Sequence, residues 1–362
     1  MISWRAGRVT ALGRAWRGAR ELTADVDGAA VRALAYPLLT GEPAIGDRVL
    51  LNTTAQTMEL GTGGYALVVA LPDRLPEDSP LGPGHLVKAR YTPLQAIVLG
   101  VEEQHSPHHE LLRDADSLDG MPVVTADLHS ALPAVCAAIL ADRPGTRIVY
   151  VMSDGGALPL WFSRTAAGLR DAGWLAGSVT VGQAFGGDVE AVTVHSGLLS
   201  ARLVLDADVA IVAQGPGNLG TGTRWGFSGV ACGEAVNAAG VLGGRPVGVL
   251  RISEADARGR HRGLSHHSLT AYGRVALCPT LLAVPAEPGS FWDGVREQAR
   301  TLTARHTLRE VDCRGLDEAL AASPVGLSTM GRGLSADRAS FLAAAAAGRA
   351  AASLLGGPGR AM

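Results

Sequence analysis

Short apolar segments alternate with longer amphipathic segments from residue 121 onward. The apolar segments show no polar alternation, which is typical of parallel strands covered by helices on both faces. This alternation predicts an α/β fold with a mostly parallel, doubly wound (Rossmann-like) sheet of about six to seven strands. The predicted strands are 122–126, 147–152, 178–181, 209–213, 246–252, 281–284 and 309–312, and the predicted helices are 132–140, 158–172, 190–205, 228–242, 269–276, 291–304 and 336–354.

The first 83 residues show a different pattern, with short β-type segments separated by turn residues at 27–28, 41–43 and 61–64. Such spacing predicts a small SH3-like or OB-like β-barrel of about five strands. A proline-rich segment, 72–83, follows it. We therefore predict two domains, a barrel at 1–83 and a Rossmann-like domain at 84–362 that carries the site. The predicted barrel strands are 7–12, 21–26, 30–36, 47–52 and 65–71.

The amino-acid composition narrows the classes of function that the chain can have. The net charge of −2 provides no global field for binding nucleic acid or an anionic membrane. Lys88 is the only lysine, so the chain has no Walker lysine, and a Schiff-base mechanism would have to use Lys88. No apolar run reaches about 18 residues without glycine or charge. Four widely spaced cysteines, without a C-x-x-C pair, favour free thiols. These features predict a cytoplasmic protein that does not enter a membrane.

Polar, glycine-rich loops follow five consecutive predicted strands. In a parallel sheet all carboxyl ends share one edge, and ligands of doubly wound proteins bind there. We therefore expect the site along this edge. The loops contain Asp127-Leu-His129-Ser130, Ser153-Asp154-Gly155-Gly156, Gly182-Gln183-Ala-Phe-Gly186-Gly187-Asp188, Gln214-Gly215-Pro-Gly217-Asn218 and Ser253-Glu254-Ala-Asp256.

Asp127, His129 and Asp154 are the candidates for holding a divalent metal or positioning a water. Asp127 and His129 are two positions apart, so both project to one face while the chain stays extended. Asp154 lies in a strand-to-helix turn and suits a metal ligand, a general base or a hydroxyl acceptor. The alternative is ordinary helix capping, with Ser130 and Asp154 as N-caps. The sequence leaves both interpretations open.

The loop from Gln214 to Thr223 is the candidate anion site. It precedes a helix N-terminus, and its glycines leave backbone N–H groups uncovered. Its spacing matches neither G-x-G-x-x-G nor G-x-x-x-x-G-K-[ST], so it predicts a phosphate or carboxylate site and not a dinucleotide one. A tight turn without a ligand is the alternative. The predicted ligand-binding residues are Ser153, Gly155, Gly156, Gln183, Gly186, Gly187, Asp188, Gln214, Gly215, Gly217, Asn218, Thr221 and Thr223.

The segment His261 to Ser268 places adjacent histidines, His266 and His267, at a predicted helix start. Ser265 or Ser268 fits the N-cap, and the positive end of the helix dipole lowers an imidazole pKa. A neutral histidine there can bind a metal or act as general base. Adjacent helical residues diverge by about 100°, so we expect one of the pair to face the site. Two solvent-facing rings at a capping box are the alternative.

The chain resembles a family found among actinobacteria and clostridia, domain-of-unknown-function family 3866. The resemblance extends over nearly the whole chain and implies bacterial origin, but it implies no activity, cofactor or catalytic residue. The matching strings are Leu50-Leu-Asn-Thr-Thr54, Gly61-Thr-Gly-Gly-Tyr65, Arg90-Tyr-Thr-Pro-Leu-Gln95, Ser153-Asp-Gly-Gly-Ala-Leu-Pro159, Gly182-Gln-Ala-Phe-Gly-Gly-Asp188, Gln214-Gly-Pro-Gly-Asn218 and His261-Arg-Gly-Leu-Ser-His-His267.

These patterns support two functional hypotheses. The first is a hydrolase or transferase that acts on a small anionic, phosphorylated or nucleotide-like metabolite, with the 214–223 loop holding the anion. Asp127, His129 and Asp154 would position a water or a divalent cation, and His266 or His267 would move the proton. The second is a ligand-sensing module without turnover, whose N-terminal barrel contacts protein or RNA. We expect a small anionic ligand and a homo-oligomer, and neither a membrane nor nucleic acid as a general partner.

Overall fold

The computed structural model describes residues 2–58, 60, 63–78 and 82–356. The chain forms two compact units. One unit ends at Val98 and also contains Trp161–Ala167, and the other contains Leu99–Leu160 and continues from Gly168. The predicted domain boundary at 83/84 lies within the first unit. Two predicted segments lie partly outside the described residues. These are the turn at 61–64, at residues 61–62, and the proline-rich segment 72–83, at residues 79–81.

The first unit contains a closed barrel of five strands among its described residues, in the order Trp4–Trp16, Ala19–Val26, Ala29–Ala35, Ala66–Ala70 and Arg48–Asn52. Alternating side chains such as Leu22, Ala24 and Val26 point into its core, because successive residues of a strand face opposite sides. The predicted barrel is therefore confirmed. Its strands are β1 (Trp4–Trp16), β2 (Ala19–Val26), β3 (Ala29–Ala35), β4 (Arg48–Asn52) and β5 (Ala66–Ala70), with short helices at Pro37–Thr40 and Thr54–Thr57 and a hairpin of Leu86–Lys88 with Ala96–Val98.

The second unit is built on a sheet in which eight strands of the described chain are all parallel. The predicted Rossmann-like sheet is confirmed. The additional strand is Val189–Glu190, which is too short to produce a sequence pattern. The strands are β6 (Pro122–Ala126), β7 (Ile148–Ser153), β8 (Gly177–Thr180), β9 (Val189–Glu190), β10 (Val209–Gln214), β11 (Arg245–Gly248), β12 (Leu281–Pro285) and β13 (Thr307–Val311).

Helices connect and cover these strands. The last helix is alanine-rich and packs against the first, and Gly348 allows the close approach because a Cβ there would lie 2.5 Å from the Val135 carbonyl oxygen. The helices are α1 (Leu132–Asp142), α2 (Arg164–Asp171), α3 (Val194–Leu203), α4 (Ala231–Val241), α5 (His266–Thr270), α6 (Ser290–Arg300), α7 (Leu316–Ala321) and α8 (Arg338–Ser353), with shorter turns at His109–Leu112, His129–Ala131, Leu160–Phe162, Ser228–Val230, Gly259–His261 and Ala271–Val275.

Several predicted elements have different limits in the structure, and three of them have a clear physical reason. The helix predicted at 190–205 begins after Thr193, because the Thr193 and Ser196 side chains form a capping box. The strand predicted at 246–252 ends at Gly248, and Ile252–Ser253 forms a separate hairpin with Gly263–Leu264. The helix predicted at 269–276 begins at His266, since Ser265 is its N-cap.

The strand order is β9-β8-β7-β10-β6-β11-β12-β13. After β6 the chain moves to β7, β8 and β9 on one side, returns to β10 and then crosses β6 to reach β11. The connections that leave β10 and β6 therefore run in opposite directions. Such a topological switch point opens a crevice at the carboxyl ends of the two strands. No helix in the described ranges combines the length and apolar character that crossing a bilayer requires.

Candidate functional site

Asp127 and Arg251 meet at the switch point. Asp127 directly follows β6, and Arg251 lies three residues beyond the end of β11. Arg251 Nη1 is 3.5 Å from Asp127 Oδ2, and both side chains are about 6% exposed. The same Nη1 lies 3.1 Å from Nδ1 of His267, which is 3.8 Å from Asp127 Oδ2. A buried carboxylate, guanidinium and imidazole are thus brought together.

His261, His266 and His267 form the histidine cluster, with ring centroids 4.4 to 4.9 Å apart. His266 and His267 begin α5, and the 3-10 turn Gly259–His261 brings the third ring beside them. The Ser265 hydroxyl, as predicted, caps the helix by accepting the His267 N–H at 3.2 Å. His261 approaches both rings of this adjacent pair.

The environment of the histidine cluster disfavours positive charge. Burial, followed by the positive potential of His267, Arg260 and Arg251, lowers the pKa of His266 to about 4. Burial, followed by the charges of Arg251 and Arg258, lowers the pKa of His261 to about 3. Both rings are therefore neutral at pH 7, and their lone pairs are unprotonated. The arginines that depress these pKa values also favour an anion nearby.

Gln214, the last residue of β10, joins the loops at the switch point. Its Nε2 donates to the Asp127 carbonyl at 2.7 Å and to Asn218 Oδ1 at 2.9 Å. Asn218 Oδ1 also accepts from the Ser228 hydroxyl and the Gly229 N–H, so Asn218 fixes the shape of the loop. Gln214 Oε1 is buried and has no hydrogen-bond partner within the described part of the chain. This amide oxygen can accept a hydrogen bond from a ligand.

A cavity of about 110 Å³ lies at the ends of β7 and β10. The predicted residues Ser153, Asp154 and Gln214 line it together with Ser228, Glu234 and the start of α4. Asp154 Oδ2 accepts the N–H of Gln183 at 2.9 Å, which ties the loops after β7 and β8 together. The cavity therefore presents hydrogen-bond acceptors beside a helix start.

Gly155 and Gly156 allow the loops after β7 and β10 to touch. A Cβ at Gly156 would lie 2.2 Å from the Gly215 carbonyl oxygen, and one at Gly155 would lie 2.7 Å from Gln214 Oε1. The Gly215 N–H donates to the Ser153 carbonyl at 3.3 Å. These glycines bring the two backbones together beside the cavity.

The predicted residues after β8 are bound by their own neighbours. Gly186 N–H donates to Glu190 Oε1 at 2.6 Å, and Gly187 N–H donates to Thr180 Oγ1 at 3.0 Å. Asp188 Oδ2 accepts from the backbone and hydroxyl of Ser178, at the beginning of β8. These contacts hold the loop along the edge of the sheet, and the structure does not bring Gly186, Gly187 or Asp188 to the cavity.

The glycine-rich loop folds back on itself beyond Asn218. Thr221 N–H donates to the Gly226 carbonyl at 2.8 Å, and the Thr221 and Thr223 hydroxyls are 3.0 Å apart. Both threonines are exposed. Gly217 has φ +94°, a left-handed conformation that favours glycine. The loop is a small hairpin whose end is joined to Phe227, and the Phe227 ring stacks on His267 with centroids 3.7 Å apart.

His129 turns away from Asp127. Its Nδ1 hydrogen-bonds the Tyr150 hydroxyl at 3.0 Å, and that hydroxyl donates to the carbonyl of Gln214 at 3.0 Å. Burial lowers the His129 pKa to about 4. Asp127 instead contacts Arg251 and His267, so the structure does not bring Asp127, His129 and Asp154 to a common ligand position.

Several residues of the site were missed from the sequence. Arg251 was counted inside a predicted strand, although a charged residue between Leu250 and Ile252 in an apolar segment is a signal that could have been used. His261 was recognised as part of its segment but was not chosen as a site residue, and it lies five positions before His266. Only the turn and the hairpin between them bring the rings together.

Comparison with curated proteins found no match. The model of a family described as "Protein of unknown function (DUF3866)" matches residues 32–348 of the 362 residues, which includes every residue of the histidine cluster, the cavity and the buried ion pair. The chain therefore belongs to the DUF3866 family.

Proposed function

We propose that the chain is a hydrolase or transferase that acts on a small anionic metabolite, phosphorylated or nucleotide-like, at the switch point of the sheet. The observation that carries the proposal is the concentration of buried polar atoms without hydrogen-bond partners among the described residues. Gln214 Oε1 and His266 Nε2 are two such atoms, and Asp127 Oδ2 is a third that accepts no hydrogen bond although it lies 3.5 Å from Arg251 Nη1 in an ion pair. Burying one without a partner costs about 1–3 kcal/mol. Three at one sheet edge support a site kept for a ligand.

The anionic group of the substrate binds beside Arg260 and His266. Arg251 and Arg258 are neutralised by Asp127 and Asp256. Arg260, by contrast, is exposed, and its Nη2 lies 3.6 Å from where a Cβ of Gly222 would be, so it borders the glycine-rich loop. A negative group here gains from the same potential that lowers the pKa of His266.

The reacting part of the substrate reaches the cavity at Asp154. Asp154 and Gln214 Oε1 offer acceptors to hydroxyl groups, and the segment 227–229 runs from the histidine cluster to this cavity. Asp154 accepts the proton of the attacking water or hydroxyl, as a positioned carboxylate can. A metabolite with an anionic group and free hydroxyls therefore matches both parts of the site.

The test is a turnover screen of the full chain against sugar phosphates, nucleotides and aryl phosphates, with and without Mg²⁺, Mn²⁺ and Zn²⁺. Released phosphate and new products by mass spectrometry are the readouts. Asp154→Asn and His266→Ala should each lower kcat/KM about 100-fold or more, with Tm within a few degrees of wild type. His195→Ala, an exposed residue of α3, is the matched control and should retain wild-type activity.

Two outcomes contradict the proposal. Turnover that survives in both variants places the reaction elsewhere. A panel member that raises Tm without forming product favours the sensing module instead, because binding to the folded state stabilises it without chemistry.

A further inference from the structure

The histidine cluster has a feature that the proposed reaction does not require. One ring nitrogen of each of His261, His266 and His267 lies within 4.8 Å of those of the other two. His261 and His267 are buried and His266 is half-buried. Three imidazole rings whose nitrogens converge in a partly closed place form a set of nitrogen donors.

The hydrogen bonds around the cluster orient two of these donors. His261 Nδ1 lies 2.7 Å from the Ser265 hydroxyl. When Nδ1–H donates to Ser265, the lone pair of His261 Nε2 is left facing outward, which is the arrangement that second-shell partners impose on metal-binding histidines. His266 Nε2 is buried and makes no hydrogen bond within the described residues. In the tautomer that carries its proton on Nδ1, the lone pair of His266 Nε2 is available.

The third donor is held by Arg251. Because a guanidinium only donates, His267 Nδ1 accepts from Arg251 Nη1 at 3.1 Å. Asp127 Oδ2 lies 3.5 Å from the same Nη1 and accepts no hydrogen bond in the described chain. Binding of an ion to His267 Nδ1 would therefore require the guanidinium to leave this nitrogen, and Asp127 Oδ2 is the acceptor nearest to it. The carboxylate also offsets the charge of Arg251 beside an incoming cation.

We propose that His261, His266 and His267 bind a first-row transition metal ion, with Zn²⁺ as the best fit. Imidazole donors select zinc, copper, iron or nickel over Mg²⁺ and Ca²⁺. Three protein ligands leave a fourth position open, as in catalytic zinc sites. Tetrahedral zinc with Zn–N bonds of about 2.0 Å needs donor nitrogens about 3.3 Å apart, so the rings draw closer together when the ion binds.

The metal site adds a metal ion to the proposed function. It rests on that function only in the chemical role that the ion would have in the reaction. With the ion bound, His266 is a ligand, and the open metal position takes over its contact with the anionic group. The existence of the site does not depend on turnover, and it is tested without a substrate.

The experiment uses the full chain after dialysis against a chelator, with Zn²⁺ or Co²⁺ alone as the probe. Wild type should bind one ion per chain, measured by elemental analysis after gel filtration, and bound Co²⁺ should give visible absorption bands of low coordination number. His266→Ala should lower metal affinity about 100-fold or more, and His195→Ala should leave it unchanged. If an alanine variant fails to fold, His261→Gln and His267→Gln are measured instead. Glutamine fills part of the space of each buried ring.

Absence of metal binding by wild type, or equal affinity in wild type and His266→Ala, overturns the site. The two proposals fail separately. Metal binding without turnover by any panel member leaves the site and removes the enzyme. Turnover by a chelator-treated protein that takes up no Zn²⁺ or Co²⁺ when either ion is added back leaves the enzyme and removes the site.

Discussion

Arg251 and Asp127 form a buried ion pair, with Nη1 and Oδ2 3.5 Å apart, between the chain segments that follow β11 and β6. The two strands are neighbours in the sheet. His267, which contacts Arg251, extends the ion pair to α5. The pair therefore ties the histidine cluster to the centre of the sheet, and its charges must balance in a place with little water.

We expect Asp127→Asn to lower the free energy of unfolding by about 3 kcal/mol, because it leaves the Arg251 charge buried without a counter-ion. Urea denaturation measures the loss. The double variant Asp127→Leu with Arg251→Met should recover most of it, since an apolar pair replaces the buried charges. A loss under about 1 kcal/mol in the single variant would show that solvent already compensates Arg251.

His129 predicts a specific dependence of stability on acid. Its pKa is about 4 in the folded chain and about 6.5 when unfolded. Between these values the unfolded state binds more protons, so stability falls as the pH drops from about 6.5 to 4, by about 3 kcal/mol from this residue. Above a pH of about 6.5 the contribution of His129 to the free energy of unfolding is constant.

The measurement is the free energy of unfolding as a function of pH for wild type and His129→Asn. The variant should be less stable at neutral pH, because it weakens the hydrogen bond to Tyr150. It should also lose less stability on acidification. Parallel curves for the two proteins would rule out His129 as the group that titrates.

Gly156→Ala tests the contact between the loops after β7 and β10. The added Cβ would lie 2.2 Å from the Gly215 carbonyl oxygen, so one backbone must move. We expect a loss of about 2 kcal/mol and weaker ligand binding in the adjacent cavity. Gly294→Ala is the control, since nothing lies within 4 Å of its Cβ position in the exposed part of α6. It should instead gain up to about 1 kcal/mol from helix propensity. Equal effects would refute the steric argument.

Arg260→Gln tests the anion end of the site. Arg260 is among the charges that lower the pKa of His266. Its removal should weaken binding of inorganic phosphate about fivefold, or ~1 kcal/mol, and should raise the pKa of His266, measured by NMR titration. The nearby exposed Arg262→Gln is the matched control and should change neither. Unaltered phosphate affinity in Arg260→Gln would place the anion away from this arginine.

The patterns along the chain predicted the barrel and the parallel sheet because both depend on local alternation and on turn residues. The strand Val189–Glu190 was missed because two residues carry no period. Arg251 was read as part of a strand because the apolar run continues on both sides of it. Only the hairpin of Ile252–Ser253 with Gly263–Leu264 shows that the chain has already left the sheet.

The order of residues along the chain predicts which loops end the strands, and Asp127, Asp154 and Gln214 indeed lie at the carboxyl ends of β6, β7 and β10. Tertiary structure alone decided which of them meet. The strand order puts β10 beside β6 and brings Gln214 to Asp127, whereas His129 turns to Tyr150. Side-chain partners depend on the crossover path and on ring orientation, and neither leaves a periodic signal in the residues themselves.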